Sequence, residues 1–139
     1  MSSPKPSSKQ TATPACPCDS GLNYHDCCQP YHQGQPAPNA LALMRSRYSA
    51  YALALPEYLL ATWHPDSKPS KLDLSEDPAI KWLGLAIKLA SPEQDNKATV
   101  EFVARYKVAG KAYRLHELSD FIKLNQRWYY LSGKQPDEH

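Results

Sequence analysis

The sequence predicts an α+β fold in which a small N-terminal zinc knuckle precedes helices packed on a curved antiparallel sheet. Three observations predict it. All four cysteines of the 139 residues lie between positions 16 and 28, apolar residues recur at helical spacing after residue 40, and apolar and polar residues alternate in four later segments. Helices followed by strands joined through short turns are typical of the α+β class. We expect a disordered tail over residues 1–14, a zinc-binding motif over 15–33 and an α+β domain over 38–134.

The first element is the cysteine cluster, whose spacing is C-x-C, eight residues, then C-C. Alternate residues of an extended segment point to the same side, so the first two thiols can face one ion. The run Asp19-Ser20-Gly21 is typical of a turn that returns the chain, with Gly21 free to adopt a positive φ. Tetrahedral zinc binds four such soft ligands. We therefore predict one structural zinc ion bound by Cys16, Cys18, Cys27 and Cys28.

Other roles for these thiols fit the sequence less well. Two disulfides would suit a secreted protein, a reactive thiol does not need three neighbouring cysteines, and an iron–sulfur cluster needs more enclosing chain. His25 and His32 could substitute as ligands, but four thiolates already complete the shell, so we expect ordinary surface histidines. A closed shell leaves no open position for water, so we predict no zinc catalysis.

Two helices are predicted next. Asn39 is a plausible cap for a helix over Ala40–Leu55, whose apolar stripe is formed by Leu41, Met44, Tyr48, Tyr51 and Leu55. A second helix over Pro56–Trp63 follows, because proline is favoured in the first turn of a helix and His64-Pro65 ends it. The polar stretch over residues 67–79 is predicted to be a loop or a short helix.

Four strands complete the domain. Alternating patterns predict strands over Trp82–Leu89, Ala98–Val108, Ala112–Leu124 and Arg127–Leu131. The connections Ala109-Gly110-Lys111 and Asn125-Gln126 have typical hairpin lengths. The pattern therefore predicts an antiparallel meander that follows the helices and encloses a cone with an open mouth.

Composition and charge exclude several classes of protein. The net charge is +2 and acidic and basic residues alternate along the chain, so nucleic acid is not indicated as a partner. The first residues have no apolar core typical of a secretory signal, and no stretch approaches the ~18 apolar residues of a membrane span. We expect the protein to be cytoplasmic. Thiols stay reduced in that compartment, which favours metal binding over disulfides.

The cysteine cluster resembles the SEC-C motif, a small zinc module found at the C-terminus of the SecA translocation ATPase. The matching residues are Cys16, Cys18, Ser20, Gly21, Tyr24, Cys27 and Cys28. The resemblance implies a module for protein–protein or ribosome contact. We therefore expect a protein partner to bind through the knuckle.

Six further runs resemble the YchJ-type family of uncharacterised bacterial proteins. They are ALMRSRYSAY (42–51), YLLATWHP (58–65), WLGL (82–85), VEFVARY (100–106), HELSDF (116–121) and RWYY (127–130). The family's main domain is similar to the nuclear-transport-factor-two-like, or cystatin-like, fold. That fold occurs in dehydratases, isomerases and epoxide hydrolases and in many non-enzymes, so it implies no activity by itself.

A candidate pocket follows from strand alternation. Phe102 faces one side of its strand, and Glu117 and Ser119 share a face in the next strand. If apolar residues line the interior, Glu117 points inward and must be paired or protonated. We predict a pocket lined by Arg45, Arg47, Tyr48, Tyr51, His64, Phe102, Glu117 and Ser119. The alternatives are a buried Arg–Glu pair that joins helix and sheet, and a His64 that only ends a helix. We expect His116 to face outward into solvent.

Two functions remain open from the sequence. The first is a non-enzymatic zinc-binding adaptor, whose knuckle contacts a protein while the α+β domain holds a small ligand. The second is a pocket enzyme of the dehydratase, isomerase or hydrolase kind, with Glu117 as general base. We favour the adaptor, because it uses the cysteines, which are the strongest signal in the chain.

Overall fold

A computed structural model describes residues 14–70, 72 and 80–135. They form helices α1 (Gln29–His32), α2 (Ala40–Ala52) and α3 (Pro56–Ala61), then strands β1 (Ile80–Ala90), β2 (Lys97–Val108), β3 (Lys111–Leu124) and β4 (Arg127–Lys134). This order confirms the predicted α+β fold, a knuckle followed by helices and an antiparallel sheet. The predicted disordered tail lies outside the described residues except for Pro14, as does most of the predicted loop over 67–79.

Helix α2 begins as predicted and ends early. The Ala42 N–H donates to the Asn39 Oδ1 atom at 2.8 Å, which satisfies one free amide of the first turn. The helix ends at Ala52 instead of Leu55, because Ala54 adopts a left-handed conformation with φ 59°. The residue before a proline also disfavours helical geometry. Pro56 then opens α3, which ends at Ala61.

Helix α2 is buried around most of its circumference, so the predicted apolar stripe was too narrow. The buried residues include Ser46, Arg47 and Ser49 besides the apolar Met44 and Tyr48. Polar side chains are buried only where they find partners, and here the partners come from the knuckle, α3 and β4. The helix is therefore the element on which the rest of the fold packs.

The sheet is an antiparallel meander in the order β1-β2-β3-β4. All three hairpins turn through two residues with positive φ: Asp95-Asn96, Ala109-Gly110 and Asn125-Gln126. Positive φ at both central positions is the geometry that matches the twist of paired strands. The two predicted hairpin connections thus lie where the structure turns.

Bulges curve the sheet around α2. The register of β1 against β2 shifts at two points, between Trp82 and Gly84 and between Ile87 and Leu89. A third shift interrupts the β3–β4 pairing beside Phe121. A bulge bends a strand and increases its twist, so these three points produce a concave face. Residues 62–64 pair with β4 through two backbone hydrogen bonds to Tyr130 and cover part of that edge.

One hydrophobic core joins the knuckle to the domain. The buried cluster comprises residues of α2, the concave sheet face and three of the cysteines: Cys16, Cys18, Cys28, Ala37, Ala40, Leu43, Met44, Tyr48, Leu85, Ala98, Val100, Phe102, Ala104, Phe121 and Trp128. The knuckle therefore contributes to the same core as the sheet. Among the described residues, no helix has the length and hydropathy needed to cross a membrane.

His32 links the knuckle to α2 and is not the surface residue expected from the sequence. Its Nε2 atom lies 2.8 Å from the Ser46 carbonyl oxygen, which can only accept, so Nε2 carries the proton. The Nδ1 atom then accepts from the Tyr24 hydroxyl at 2.7 Å, and the Tyr58 ring packs 4.7 Å away. Both ring nitrogens are engaged, so His32 is not a substitute metal ligand.

We predict that His32 destabilises the fold in mild acid. Burial lowers the pKa of this ring below its ordinary value of 6.5, although the bond to the Ser46 carbonyl opposes the shift. The unfolded chain then binds the proton more readily, so the stability contributed by His32 is present above pH 6.5 and is lost as the pH falls. An NMR titration of the ring carbon shifts should give a pKa below 6.5, and a value at or above it would contradict the prediction.

Candidate functional site

The four thiols converge at one point. Their sulfur atoms all lie within 4.8 Å of one another, with 3.6 Å between Cys18 and Cys27 and 3.9 Å between Cys27 and Cys28. A tetrahedral ion with metal–sulfur bonds of about 2.3 Å needs sulfur separations of about 3.8 Å. Cys16, Cys18 and Cys28 are buried and Cys27 is half-buried. The donor set and its spacing therefore fit a single four-coordinate metal ion.

Local backbone geometry places the thiols. The Cys16 N–H donates to the Leu22 carbonyl at 2.9 Å. This bond pairs the segment that carries the first two cysteines with the chain that returns from the turn. Asp19 and Gly21 adopt positive φ values of 64° and 90°, as the predicted turn requires. A 3-10 turn over Tyr24–Asp26 then delivers Cys27 and Cys28 to the start of α1.

The four thiols do not ionise independently of one another. Hydrogen bonding, first from the Cys28 thiol, lowers the pKa of Cys18 to about 4. Burial raises the pKa of Cys27 to about 11, and the hydrogen bond to Cys18 together with burial raises that of Cys28. Without a cation, one thiolate suppresses ionisation of its neighbours. A divalent ion removes this conflict, so binding it would release the remaining protons.

The knuckle is docked on α2 and β1 through polar contacts. The Ser49 hydroxyl, fully buried on α2, lies 3.3 Å from both the Cys16 and the Cys28 sulfur atoms. One turn earlier, the Arg45 guanidinium donates to the Cys18 carbonyl oxygen at 2.8 Å. On the sheet side, the Asp19 carboxylate accepts from the Leu85 N–H at 3.1 Å. The thiol cluster is therefore held by residues of the α+β domain.

We predict that Ser49→Ala weakens metal binding about 10- to 100-fold, the effect expected when a hydrogen bond to a metal ligand is lost. The hydroxyl donates to the Cys28 sulfur and contacts Cys16, so its removal leaves two thiolates less stabilised. Competition with a chromophoric chelator measures the affinity.

The matched control for this test is Ser46→Ala. Ser46 is equally buried on the same helix, but its hydroxyl bonds to the Leu43 carbonyl and the Tyr58 hydroxyl and does not contact a thiol. We expect the control variant to keep the wild-type metal affinity. Equal affinities for the two variants would show that Ser49 does not support the metal site.

A cavity of about 280 Å³ lies between α2 and the concave face of the sheet. Six of the residues predicted from the sequence line it: Arg47, Tyr48, Tyr51, Phe102, Glu117 and Ser119. The remaining lining residues were not predicted: Met44, Trp63, Trp82, Ala104, Leu115, Phe121 and Tyr130. Strand alternation could have placed Tyr130 on the inner face of the sheet, because it is two positions from the buried Trp128. Trp63 lies after α3, where no periodic pattern applies.

Arg47 is the buried cation of this cavity, with 4% of its surface exposed. Its Nη1 atom donates to the Leu59 carbonyl oxygen at 2.8 Å and to the Thr62 hydroxyl at 2.7 Å. The guanidinium also lies 4.9 Å from the centre of the Trp63 ring and 4.6 Å from that of Tyr130. The hydrogen bonds and aromatic contacts of this cation join α2 to α3 and β4.

Glu117 is the anion of the cavity. Its Oε2 atom accepts from the Ser119 hydroxyl at 2.6 Å and from the Tyr130 hydroxyl at 3.4 Å. Within the described part of the chain, neither Arg45 nor Arg47 forms an ion pair with this carboxylate. Burial and the nearby Glu117 charge raise the pKa of Tyr130, so its hydroxyl keeps the proton that it donates. The cavity thus holds separated opposite charges among aromatic walls.

Two predicted pocket residues lie elsewhere. Arg45 points to the knuckle, because it is two residues from Arg47 and projects from another side of the helix. His64 is outside the cavity lining, and its Nδ1 atom accepts from the Asp66 N–H at 3.0 Å beyond the end of α3. His116 faces away from the cavity, but its Nε2 atom lies 2.6 Å from the Glu101 carboxylate, so it is not freely solvated.

Comparison with known protein families finds two adjoining matches. Residues 15–30 match the SEC-C motif, and residues 39–133 match the family described as "YchJ, middle NTF2-like domain". A UPF0225 protein from Bordetella pertussis is 53% identical over 129 residues, covering 90% of this chain and 96% of that protein. A UPF0225 protein from Chromobacterium violaceum is 54% identical over 131 residues, covering 91% and 96%.

Two solved structures are similar to this chain. The solution structure of a SEC-C motif containing protein from Rhodopseudomonas palustris is 36% identical and aligns with a TM-score of 0.77, covering 88% of this chain and 98% of that one. The crystal structure of a SEC-C motif containing protein from Psychrobacter arcticus is 32% identical, with a TM-score of 0.70 and coverage of 89% and 84%.

Proposed function

Since this chain belongs to the UPF0225 family, which joins a SEC-C motif to a YchJ-type NTF2-like domain, we propose that it is a zinc-binding adaptor. In this proposal one structural zinc ion folds the knuckle, the outer face of the knuckle contacts a protein partner, and the cavity holds a small ligand. The observation that supports it most strongly is the convergence of four sulfur atoms within 4.8 Å.

The donor set favours zinc over other ions. Four thiolates at near-tetrahedral separations are the ligands of structural zinc sites, whereas magnesium and calcium prefer oxygen. Three of the four sulfurs belong to buried residues, and the set fills a tetrahedral shell. We therefore assign the ion a structural role. When bound, zinc supplies folding free energy to a segment that is too short to bury a core of its own.

The outer face of the knuckle is the surface that we propose for the partner. Leu22 is 53% exposed at the turn opposite α2, and its neighbours Asn23, His25 and Asp26 are also exposed. The inner side of the knuckle is committed to Ser49, Arg45 and β1, so within the described part of the chain the outer face is the side left for a partner. An exposed leucine with polar neighbours is a common anchor of a small interface.

Cross-linking tests this surface. A photoreactive residue placed at position 22 should cross-link to a discrete protein in cells, whereas one at Leu89, which is 58% exposed on β1, should not. Leu22→Asp should abolish co-purification of the cross-linked protein and Leu89→Asp should preserve it. If the same proteins are captured from both positions, the knuckle is not a specific contact surface.

One observation favours a second candidate function. Glu117 faces an aromatic cavity without an ion pair to either helix arginine among the described residues, so its carboxylate is available to a bound molecule. A pocket enzyme of the dehydratase, isomerase or hydrolase kind would use it as general base. Mass spectrometry of molecules recovered from the protein separates the two functions. An adaptor releases them unchanged, whereas an enzyme converts them and loses turnover in Glu117→Gln.

A further inference from the structure

The cavity favours one chemical class of ligand, an inference that rests on the small-ligand part of the proposed function. We propose that it binds a small, flat, uncharged molecule with an apolar body and one hydrogen-bond donor, which donates to the Glu117 carboxylate.

The walls of the cavity select a flat apolar body. Rings of Tyr48, Tyr51, Trp63, Trp82 and Phe102 line it, and the volume is about 280 Å³. Ligand pockets usually measure about 300–1,000 Å³, so this one accepts a molecule at the small end of that range. Aromatic walls pack best against planar rings in stacked or edge-on contact.

Arg47 is partly committed to the protein. Leu59 and Thr62 accept from one nitrogen of the guanidinium, and the Trp63 and Tyr130 rings, which are nearly perpendicular to each other, pack against the group. Only 4% of the residue is exposed. An acidic ligand that bonded to the other nitrogens of the guanidinium would also approach the Glu117 carboxylate, whose charge acts on Arg47. The geometry therefore disfavours a carboxylate or phosphate.

Glu117 retains the capacity to accept. An ionised carboxylate has two oxygens and about four acceptor sites, and it cannot donate. Ser119 and Tyr130 both bond to Oε2, and no described residue forms a hydrogen bond with Oε1. Burial raises the pKa of Tyr48 to about 12, so the hydroxyls of the wall stay neutral. A donor on the bound molecule is the partner that Oε1 lacks.

Charge balance favours a neutral molecule. Arg47 and Glu117 are the two charged side chains among the described lining residues, and their charges cancel. A cation or an anion entering this apolar space would leave one charge uncompensated, which is costly in a low dielectric. A neutral donor binds the carboxylate without changing the net charge.

A set of four naphthalene probes tests the proposal on the zinc-loaded protein. 2-Naphthol is a neutral donor, 2-methoxynaphthalene cannot donate, 2-naphthoate is an anion and 2-naphthylmethylammonium is a cation. Dissociation constants come from NMR titrations that follow the indole N–H signals of Trp63 and Trp82. We expect 2-naphthol to bind about tenfold tighter than 2-methoxynaphthalene, because a hydrogen bond to a charged acceptor is gained.

Two variants test the role of Glu117. Glu117→Gln should reduce the preference for 2-naphthol, since a charge-assisted bond becomes a neutral one. Gly133→Ala should have the same effect, because a methyl group at Gly133 would overlap the Glu117 carboxylate and lie 2.7 Å from the Tyr130 hydroxyl. The neighbouring exposed Ser132→Ala is the control and should leave the preference unchanged.

The outcomes separate this inference from the proposed function. Tighter binding of the anion or the cation, or equal binding of 2-naphthol and 2-methoxynaphthalene, would overturn the inference while leaving a ligand-binding cavity. If no probe shifts the two tryptophan signals, both the inference and the small-ligand part of the proposed function fail.

Discussion

Arg47→Met is expected to destabilise the protein by about 3–5 kcal/mol, the usual effect of removing one member of a buried charged set. The substitution removes the 2.8 Å hydrogen bond to the Leu59 carbonyl oxygen, which keeps the longer 3.4 Å bond from the Thr62 hydroxyl, and leaves Glu117 as an uncompensated charge in the cavity. It also removes the cation that packs against the Trp63 and Tyr130 rings. Urea unfolding of the metal-loaded protein measures the loss.

Three further variants define the cause of this loss. Arg47→Lys keeps the charge but loses the planar contacts, so we expect an intermediate effect. Arg47→Met combined with Glu117→Gln should be more stable than Arg47→Met alone, because the unpaired charge is gone. Arg127→Met, at an exposed position on β4, should change stability by no more than about 0.5 kcal/mol. Equal effects at positions 47 and 127 would contradict the role given to Arg47.

Loss of the metal is expected to have the second large effect. Cys18→Ser removes one thiol of the proposed metal site, and this side chain is fully buried in the common core, so the destabilisation should reach α2 and the sheet. Structural zinc contributes on the order of 10 kcal/mol to the folding of isolated zinc-finger peptides at neutral pH. Loss of part of that contribution should therefore lower the melting temperature of the whole chain.

A chelator provides the control for Cys18→Ser. Treating the wild-type protein with a strong zinc chelator should lower its melting temperature to near that of the variant, and treating the variant should change little. A melting temperature of the wild type that does not respond to complete metal removal would contradict the structural role of the ion. A melting temperature that is lower in Cys18→Ser but unchanged by the chelator in the wild type would point to a packing defect at position 18.

The parts of the fold that could be predicted from sequence are those set by local patterns. Alternation of apolar residues gave the four strands, and Asn39 marked the start of α2. The cysteine spacing and the turn at Gly21 gave the thiol cluster. Each of these signals lies within a few consecutive residues, where side-chain direction and backbone preference follow directly from residue type.

The parts that could not be predicted depend on residues far apart in the sequence. Ser49 is buried where two thiols, 21 and 33 positions earlier in the chain, contact it. Arg45 and Arg47 both lie on the same helix, and only the packing of the knuckle and β4 decides which one faces the cavity. The early end of α2 depends on a left-handed conformation at Ala54, which an alanine does not signal.

The most direct test of the central claim is the metal content of the purified protein, measured by inductively coupled plasma mass spectrometry with and without Cys16→Ser. We predict about one zinc ion per chain in the wild type and a large loss in the variant, because the Cys16 sulfur is one of the four that converge at the proposed site. No metal in the wild type, or an equal zinc content in the variant, would contradict a zinc site formed by these four cysteines.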